Sequence, residues 1–334
     1  MLAYSNQFLE LVFINLVLVF LVPTFCIILD SNDCEKSTQL RFPNITDPEI
    51  RYYLFTRDNI LEGTEIKDQD VLSLQNSKFN KEWPTRIFIN SWKTTAKHCK
   101  IAVVRDAYFE IGDFNFILVD WSDYNTKEYT FAAASVNDVG KLVGNFTKFL
   151  NTHMDVSFDD MYLIGHGLGA HVAGAVGESI LPNQFNTIYG LDPTGTDFVE
   201  TSTNNRLDPS DAKYVEVVVT DMYYNGFSTN ETLGHAQFYP NNGRRVQPSC
   251  PHYLIRSFSP GDQFCSHTSS IDYFANSLNS KIKFCGKPTT WDDIFSMLPP
   301  INDGVCDILM GGEPSVPKSG YYYLFVGYSD FLPA

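Results

Sequence analysis

Short apolar runs that end in polar residues alternate with segments of helical spacing through most of the chain. Such runs predict strands of a parallel sheet, because these strands are buried on both faces. The predicted strands are residues 51–56, 86–90, 114–120, 162–164, 187–191 and 214–220. Apolar positions three and four residues apart predict helices at 101–111, at 129–150 and directly after Gly167. The alternation predicts an α/β fold with a doubly wound, mostly parallel sheet.

Three segments stand where predicted strands end. They are Asn90–Trp92, Gly167 and Asp192. In a doubly wound sheet, ligands bind at the carboxyl ends of the strands. We therefore expect these segments to contribute to a ligand site at one edge of the sheet.

The N-terminus is a candidate targeting segment. Residues 8–29 are nearly all apolar. They predict a signal peptide over residues 1–30, cleaved between Pro23 and Asn32, although no positive charge precedes the run. A signal anchor is the alternative, because the run approaches the length that spans a bilayer. Residues 31–334 are then expected to form one domain, since the chain after about Lys281 brings no second core of its own size.

The cysteines indicate an oxidising compartment. Of seven cysteines, six lie beyond the apolar run, and an even set suits three disulfides. Fifteen pairings are possible. Pairing the neighbours in sequence gives Cys250–Cys265 and Cys285–Cys306, and leaves Cys34–Cys99. Three N-x-S/T sequons, at Asn44, Asn145 and Asn230, are candidate glycosylation sites. We expect a secreted, extracellular glycoprotein.

Charge excludes some classes of partner. The formal net charge of −15 argues against nucleic-acid binding, which needs a basic surface, and against simple adsorption to anionic membranes. Metal ligation is not expected either. His98 and Cys99 are adjacent, but no second pair has the spacing of metal ligands. No cofactor is predicted.

Gly167 stands in the segment that carries the most chemistry. Residues 161–172 read as a buried strand, a tight turn and a helix, and the turn is Gly165-His166-Gly167-Leu168-Gly169. This matches the nucleophile elbow G-x-S-x-G of α/β-hydrolases, with glycine in place of the serine. The elbow holds its central residue in a strained conformation that glycine adopts without steric cost. The substitution therefore preserves the turn and removes the attacking hydroxyl.

With these residues in view, the chain resembles the pancreatic lipase family over about residues 50–330, in particular its short phospholipase A1-like members and the fly yolk proteins. The resemblance rests on several motifs in the right order. They are the nucleophile segment at 165–174, the carboxylate segment at 190–195, a signature block at 233–243 with 247–250, the histidine segment at 265–267 and the last disulfide region at 306–311.

The resemblance implies an α/β-hydrolase fold and a role for each matching residue. Asp192 would orient and stabilise an imidazole, and His267 would be the general base. The backbone N–H groups of Trp92 and Leu168 would form the oxyanion hole. The stretch 251–264 corresponds to the family's lid and is short. The family's C-terminal β-sandwich is not expected, and with it no colipase-type partner.

Two departures accompany Gly167. The first oxyanion segment of the family is typically His-Gly-Trp, where this chain has Asn90-Ser91-Trp92, and a histidine usual near the end of the following strand is Val219. We therefore predict a catalytically inactive member, a pseudo-lipase, that binds or stores a lipid or hydrophobic ester. The alternative is a weak phospholipase A1, triacylglycerol lipase or carboxylesterase of lipid metabolism. The oligomeric state is left open.

Overall fold

The buried apolar runs form the strands of one large sheet. The computed structural model describes residues 49–222, 228–250, 260–279 and 283–327. Within these ranges the strands are β1 Arg51–Phe55, β2 Thr64–Ile66, β3 Thr85–Ile89, β4 Asn115–Asp120, β5 Met161–His166, β6 Phe185–Leu191, β7 Ala212–Val218, β8 Ala236–Pro240, β9 Cys285–Thr289, β10 Ile308–Leu309 and β11 Gly320–Leu324.

The sheet order is β10-β9-β11-β8-β7-β6-β5-β3-β4-β1-β2. The central strands, from β4 to β11, are parallel to one another. Two strands at each end run antiparallel to their neighbours. The predicted mostly parallel α/β sheet is confirmed, and the segment after 281 joins this same sheet through β9, β10 and β11.

Helices cover both faces of the sheet. They are α1 Val71–Gln75, α2 Cys99–Ile111, α3 Ser122–Asn125, α4 Tyr129–Ala134, α5 Val136–Met154, α6 Leu168–Ser179, α7 Pro260–Leu278 and α8 Trp291–Ser296. Short 3₁₀ turns lie at Arg57–Asn59, Phe158–Asp160, Thr203–Asn205, Pro209–Asp211 and Asn241–Gly243. None of the helices within the described ranges has the length and apolar character needed to cross a bilayer.

One predicted helix is divided. The sequence predicts a single helix over 129–150, and the structure has α4 and α5 with Ser135 between them. The hydroxyl of Ser135 donates a hydrogen bond to the carbonyl of Phe131, 2.7 Å away. A serine that bonds back to the carbonyl one turn earlier competes with the backbone ladder and bends a helix, which the apolar spacing does not reveal.

The core has two halves, one on each face of the sheet. Neighbouring residues of β5 point to opposite sides, with Leu163 in one cluster and Ile164 in the other. The first cluster contains apolar residues of α5 and α6, namely Val139, Val143, Phe146, Val172 and Val176. The second contains residues of α2 and α7, namely Val104, Tyr108, Tyr273 and Phe274. Both halves share every central strand, so the described residues form one folded unit.

Two of the three predicted disulfides lie within the described residues. The bridges Cys250–Cys265 and Cys285–Cys306 are present as predicted. Cys34, the cysteine predicted to pair with Cys99, falls outside the described residues, as do the predicted signal segment 1–30 and the sequon at Asn44.

The sheet brings three strand ends together. In the register of β3, β5 and β6, Ile89 pairs with Gly165, and Gly165 pairs with Gly190. The residues that follow these positions leave the sheet at the same edge. Asn90–Trp92, Gly167 and Asp192 therefore lie side by side.

Candidate active site

Gly167 occupies the sharp turn between β5 and α6. Its backbone has φ 57° and ψ −119°, a region that favours glycine because a Cβ is strained there. Its N–H donates a hydrogen bond to the carbonyl of Leu191, 3.0 Å away. The turn therefore has the strand–turn–helix geometry that the motif predicts, and it retains this geometry without a side chain at its centre.

The flanking glycines allow the elements of the turn to approach closely. A Cβ on Gly165 would lie 2.3 Å from the carbonyl oxygen of Gly169, and a Cβ on Gly169 would lie 2.2 Å from that of Ile89. Real Cβ atoms do not come this close to backbone oxygens. Helix α6 can therefore sit on β3 and β5 only with glycine at both positions.

Asp192 is held in a dedicated set of hydrogen bonds. Its side chain is fully buried, and its Oδ1 accepts from the Asp221 N–H at 3.0 Å, from the Ser228 hydroxyl at 2.7 Å and from the Thr220 N–H at 2.5 Å. Its Oδ2 faces His267 Nδ1 at 2.7 Å. Donors of this kind stabilise a carboxylate and fix its orientation. One oxygen is thus anchored and the other is presented to the imidazole.

His267 approaches Gly167 from helix α7. Its Nε2 is 2.9 Å from the point where a Cβ on Gly167 would stand. The ring of His166 lies beside it, with centroids 4.2 Å apart, and His166 Nε2 donates to the backbone carbonyl of His267 at 3.2 Å. Burial and the neighbouring imidazole lower the pKa of His166 well below its ordinary value, so this ring is neutral. The structure therefore brings Gly167, Asp192 and His267 together.

A hydroxyl from the segment after β3 occupies the space beside Gly167. The Oγ of Ser91 lies only 2.1 Å from the position of a Cβ on Gly167, and the Cβ of Ser91 lies 2.8 Å from it. The elbow motif specifies a hydroxyl only at position 167 and therefore does not indicate this one. The sequence signal for this hydroxyl is the serine at position 91, where the family pattern has glycine. Its side chain fills the place that glycine at 167 leaves open.

The segment that carries Ser91 is fixed by side-chain amides. Asn125 Nδ2 donates to the carbonyls of Ser91 at 2.7 Å and Thr94 at 2.9 Å. Asn90 Nδ2 also donates to the Thr94 carbonyl, at 2.6 Å. Asn90 and Asn125 are buried. The position of Ser91 is therefore set by the fold and does not depend on solvent-exposed contacts.

The two predicted oxyanion donors flank this space. Leu168 is the first residue of α6, and the N–H groups of Trp92 and Leu168 have no hydrogen-bond acceptor within the described part of the chain. The Trp92 indole donates to the carbonyl of Lys127 at 2.9 Å and meets the Tyr129 ring edge-on. An N–H without an acceptor at the start of a helix, as at Leu168, suits a developing negative charge.

His171 fixes the segment after Asp192, a role that the sequence motifs do not indicate. Its Nε2 donates to the carbonyl of Thr194 at 2.7 Å, and its Nδ1 accepts from the N–H of Leu207 at 3.1 Å. The ring stacks on Phe198 with centroids 3.9 Å apart. Burial lowers its pKa to about 4, so the ring is neutral with both nitrogens used. A single histidine in a helix gives no sequence signal for such a role.

A second carboxyl group lies behind Asp192. The side chain of Asp221 is fully buried and forms an ion pair with Arg245 at 3.0 Å. Burial raises the pKa of Asp221 to about 7, although the hydrogen bond from Arg245 acts in the opposite direction. Its backbone N–H is one of the donors to Asp192. Asp221 therefore supports the triad carboxylate through its main chain.

Other predicted features fall partly outside the described residues. Residues 251–259, which make up most of the lid segment, and the aromatic stretch 223–227 are among them. The sequons at Asn145 and Asn230 are described, and both asparagines are exposed. Across the described ranges, His, Cys, Asp and Glu side chains do not cluster in a way that could hold a metal ion.

The comparisons with known proteins agree on one family. Residues 29–297 match the family model described as Lipase. The chain is 30% identical to pancreatic lipase-related protein 2 of Cavia porcellus over 257 residues, which is 75% of the chain and 57% of that protein. It is 32% identical to inactive pancreatic lipase-related protein 1 of Homo sapiens over 253 residues, 72% of the chain and 54% of that protein. It is 30% identical to pancreatic triacylglycerol lipase of Sus scrofa over 263 residues, 75% of the chain and 58% of that protein. The chain thus spans little more than half the length of these relatives.

Proposed function

The chain belongs to the lipase family, and from this premise we propose that it is a pseudo-lipase, which binds a lipid or hydrophobic ester at the carboxyl edge of the sheet without hydrolysing it at the rate of an active lipase. Gly167 carries the proposal. Removing the serine of a serine hydrolase costs on the order of 10⁶ in kcat. A water molecule beside His267 lacks the positioning that a covalent nucleophile has.

The rest of the site supports binding. Asp192 and His267 remain paired, and the N–H groups of Trp92 and Leu168 have no acceptor within the described ranges, which supports binding of an ester carbonyl here. A relative at 32% identity is named an inactive lipase-related protein, so the proposed loss has a parallel in the family.

We propose further that the protein is of the short phospholipase A1-like or yolk-protein-like type. The disulfide Cys250–Cys265 closes a loop with a sequence separation of only 15. In the family resemblance a lid segment this short is typical of phospholipase A1-type members, so we propose a ligand with a headgroup, such as a phospholipid.

Secretion is part of the proposal. The bridges Cys250–Cys265 and Cys285–Cys306 form and persist in oxidising compartments. The exposed side chains of Asn145 and Asn230 are open to glycan attachment in the same setting.

A weak hydrolase is the second candidate. The paired Asp192 and His267, 2.7 Å apart, favour it, because the carboxylate orients the imidazole as it does in a proton-transfer pair. Activity on phospholipid and short-chain esters separates the two candidates.

Binding is tested on the protein purified from a secretory host. Organic extraction followed by mass spectrometry identifies a bound lipid, and displacement of a fluorescent fatty acid measures the affinity. Ser91→Leu places a bulky side chain beside Gly167 and should abolish displacement, while Thr152→Leu, at an exposed position of α5, should leave it unchanged. The proposal is wrong if no lipid is extracted and the probe does not bind.

A further inference from the structure

We propose that Ser91 is the reactive hydroxyl of this site, and that it slowly accepts an acyl group from a bound ester in place of the missing elbow serine. The inference rests on the proposed function, because the bound ester is the acyl donor. It assigns to Ser91 a role that the elbow motif places at position 167.

The position of the hydroxyl is the first argument. Ser91 Oγ and His267 Nε2 lie 2.1 Å and 2.9 Å from one shared point, the Cβ position of Gly167, so they are within about 5 Å of each other. A serine at 167 would place its hydroxyl about 1.4 Å from that same point. The Ser91 oxygen therefore stands in the volume where the family's nucleophile acts, although it comes from the end of β3.

The base is the second argument. His267 Nδ1 faces Asp192 Oδ2 and donates to it, so Nε2 is the nitrogen that can accept a proton, and it lies on the side of Ser91. Asn125 holds the backbone carbonyl of this segment, so Ser91 Oγ can change its position relative to Nε2 by rotation about the Cα–Cβ bond.

The oxyanion donors are the third argument. The N–H of Trp92 belongs to the residue after Ser91, and the N–H of Leu168 to the residue after Gly167. Neither N–H has an acceptor within the described ranges, so both are available to the oxygen of an ester bound beside Ser91.

The step conserves atoms and charge. The Ser91 proton passes to His267 Nε2 as Oγ bonds to the ester carbonyl carbon, and the carbonyl oxygen takes the electron pair. When the carbonyl reforms, the ester C–O bond breaks and the alcohol leaves with the proton from His267. The acyl group remains on Ser91 until water removes it by the reverse sequence.

The reaction is expected to be slow. Ser91 lies at a strand end that lacks the strained elbow, and a displacement of about 1 Å from the productive geometry costs roughly 10²-fold in rate. Stoichiometric acylation is therefore expected, without the turnover of an active lipase.

The test uses the purified full-length protein and a fluorophosphonate, which traps a reactive serine through its phosphorus atom. Intact mass should show one adduct, and peptide mapping should place it on Ser91. Ser91→Ala and His267→Ala should lose labelling at least about 10²-fold, whereas Ser296→Ala, at an exposed position of α8, should label as the wild type does.

The outcomes are distinct. An adduct on Ser91 that requires His267 supports the inference. The absence of an adduct, or an adduct on another residue, overturns the inference. Because the adduct is mapped on the wild-type protein, the result stands even if a variant fails to fold. Fatty-acid displacement is measured in parallel. If the fluorescent fatty acid binds and Ser91 is not labelled, only this inference fails. If the fatty acid does not bind, the proposed function fails.

Discussion

The hydroxyl oxygen of Ser91 lies 2.1 Å from the point where a Cβ on Gly167 would stand, which is shorter than any non-bonded contact that such an atom makes. The two positions therefore exclude each other's side chains. This chain has serine at 91 and glycine at 167. The family pattern has the reverse, with glycine at 91 and serine at 167, so in both cases only one of the two positions carries a side chain.

This relationship predicts how a restored nucleophile behaves. Gly167→Ser alone should destabilise the protein by about 1–3 kcal/mol, because the new Cβ meets Ser91 and the backbone has a φ of 57°. Adding Ser91→Gly should recover part of that loss. Urea denaturation of both single variants and the double variant gives the coupling free energy. Additive effects, within about 0.5 kcal/mol, would show that the two side chains do not compete.

Asp192 should matter more for stability than His267 does. Asp192→Ala removes the buried acceptor of the Thr220 N–H and the Ser228 hydroxyl, and one of the two acceptors of the Asp221 N–H, so a loss of about 3 kcal/mol or more is expected. Asp192→Asn retains an acceptor oxygen and should cost about 1 kcal/mol. His267→Ala leaves the anchored oxygen untouched. Equal losses for Asp192→Ala and Asp192→Asn in thermal unfolding would contradict the anchoring role.

His171 should contribute to acid sensitivity. Folding lowers its pKa from 6.5 to about 4, so between these pH values the unfolded chain binds a proton that the folded chain does not. Its contribution to the free energy of unfolding is therefore present above pH 6.5 and falls by up to about 3 kcal/mol as the pH drops to 4. His171→Gln, which still donates and accepts, should reduce this dependence. Parallel stability–pH curves for both proteins would contradict the assignment.

The sequons give a prediction about secretion. Protein from a eukaryotic secretory host should lose mass on treatment with a peptide N-glycosidase. Asn230→Gln and Asn145→Gln should each remove one glycan, because both asparagines are exposed. A wild-type mass that equals the sequence mass after signal removal would contradict glycosylation at these positions.

The sequence alone predicts the parallel sheet, because the central strands are buried on both faces and read as continuous apolar runs. It also places Gly167, Asp192 and Asn90–Trp92 at strand ends, where the structure finds them. It does not predict that β3 lies next to β5, since strand order depends on packing of the whole sheet. That adjacency brings Ser91 to Gly167 across 76 positions of the chain.

Other features escape sequence patterns for local reasons. The break at Ser135 depends on which carbonyl its hydroxyl bonds, and apolar spacing carries no information on that bond. The roles of Ser228 and of the N–H groups of Thr220 and Asp221 depend on how two loops fold around one carboxylate. Only the motif of Asp192 itself indicated that such a carboxylate exists.

The most direct test compares hydrolysis of a short-chain p-nitrophenyl ester by the wild type and by the Ser91→Gly/Gly167→Ser double variant at equal concentrations of folded protein. The central claim is that the missing hydroxyl at position 167 silences a site in which Asp192 and His267 remain paired. It predicts kcat/KM at least about 10³-fold higher for the double variant, with Asp192 and His267 serving the restored serine. A wild type that turns over within tenfold of the double variant, or a folded double variant with no activity, would contradict it.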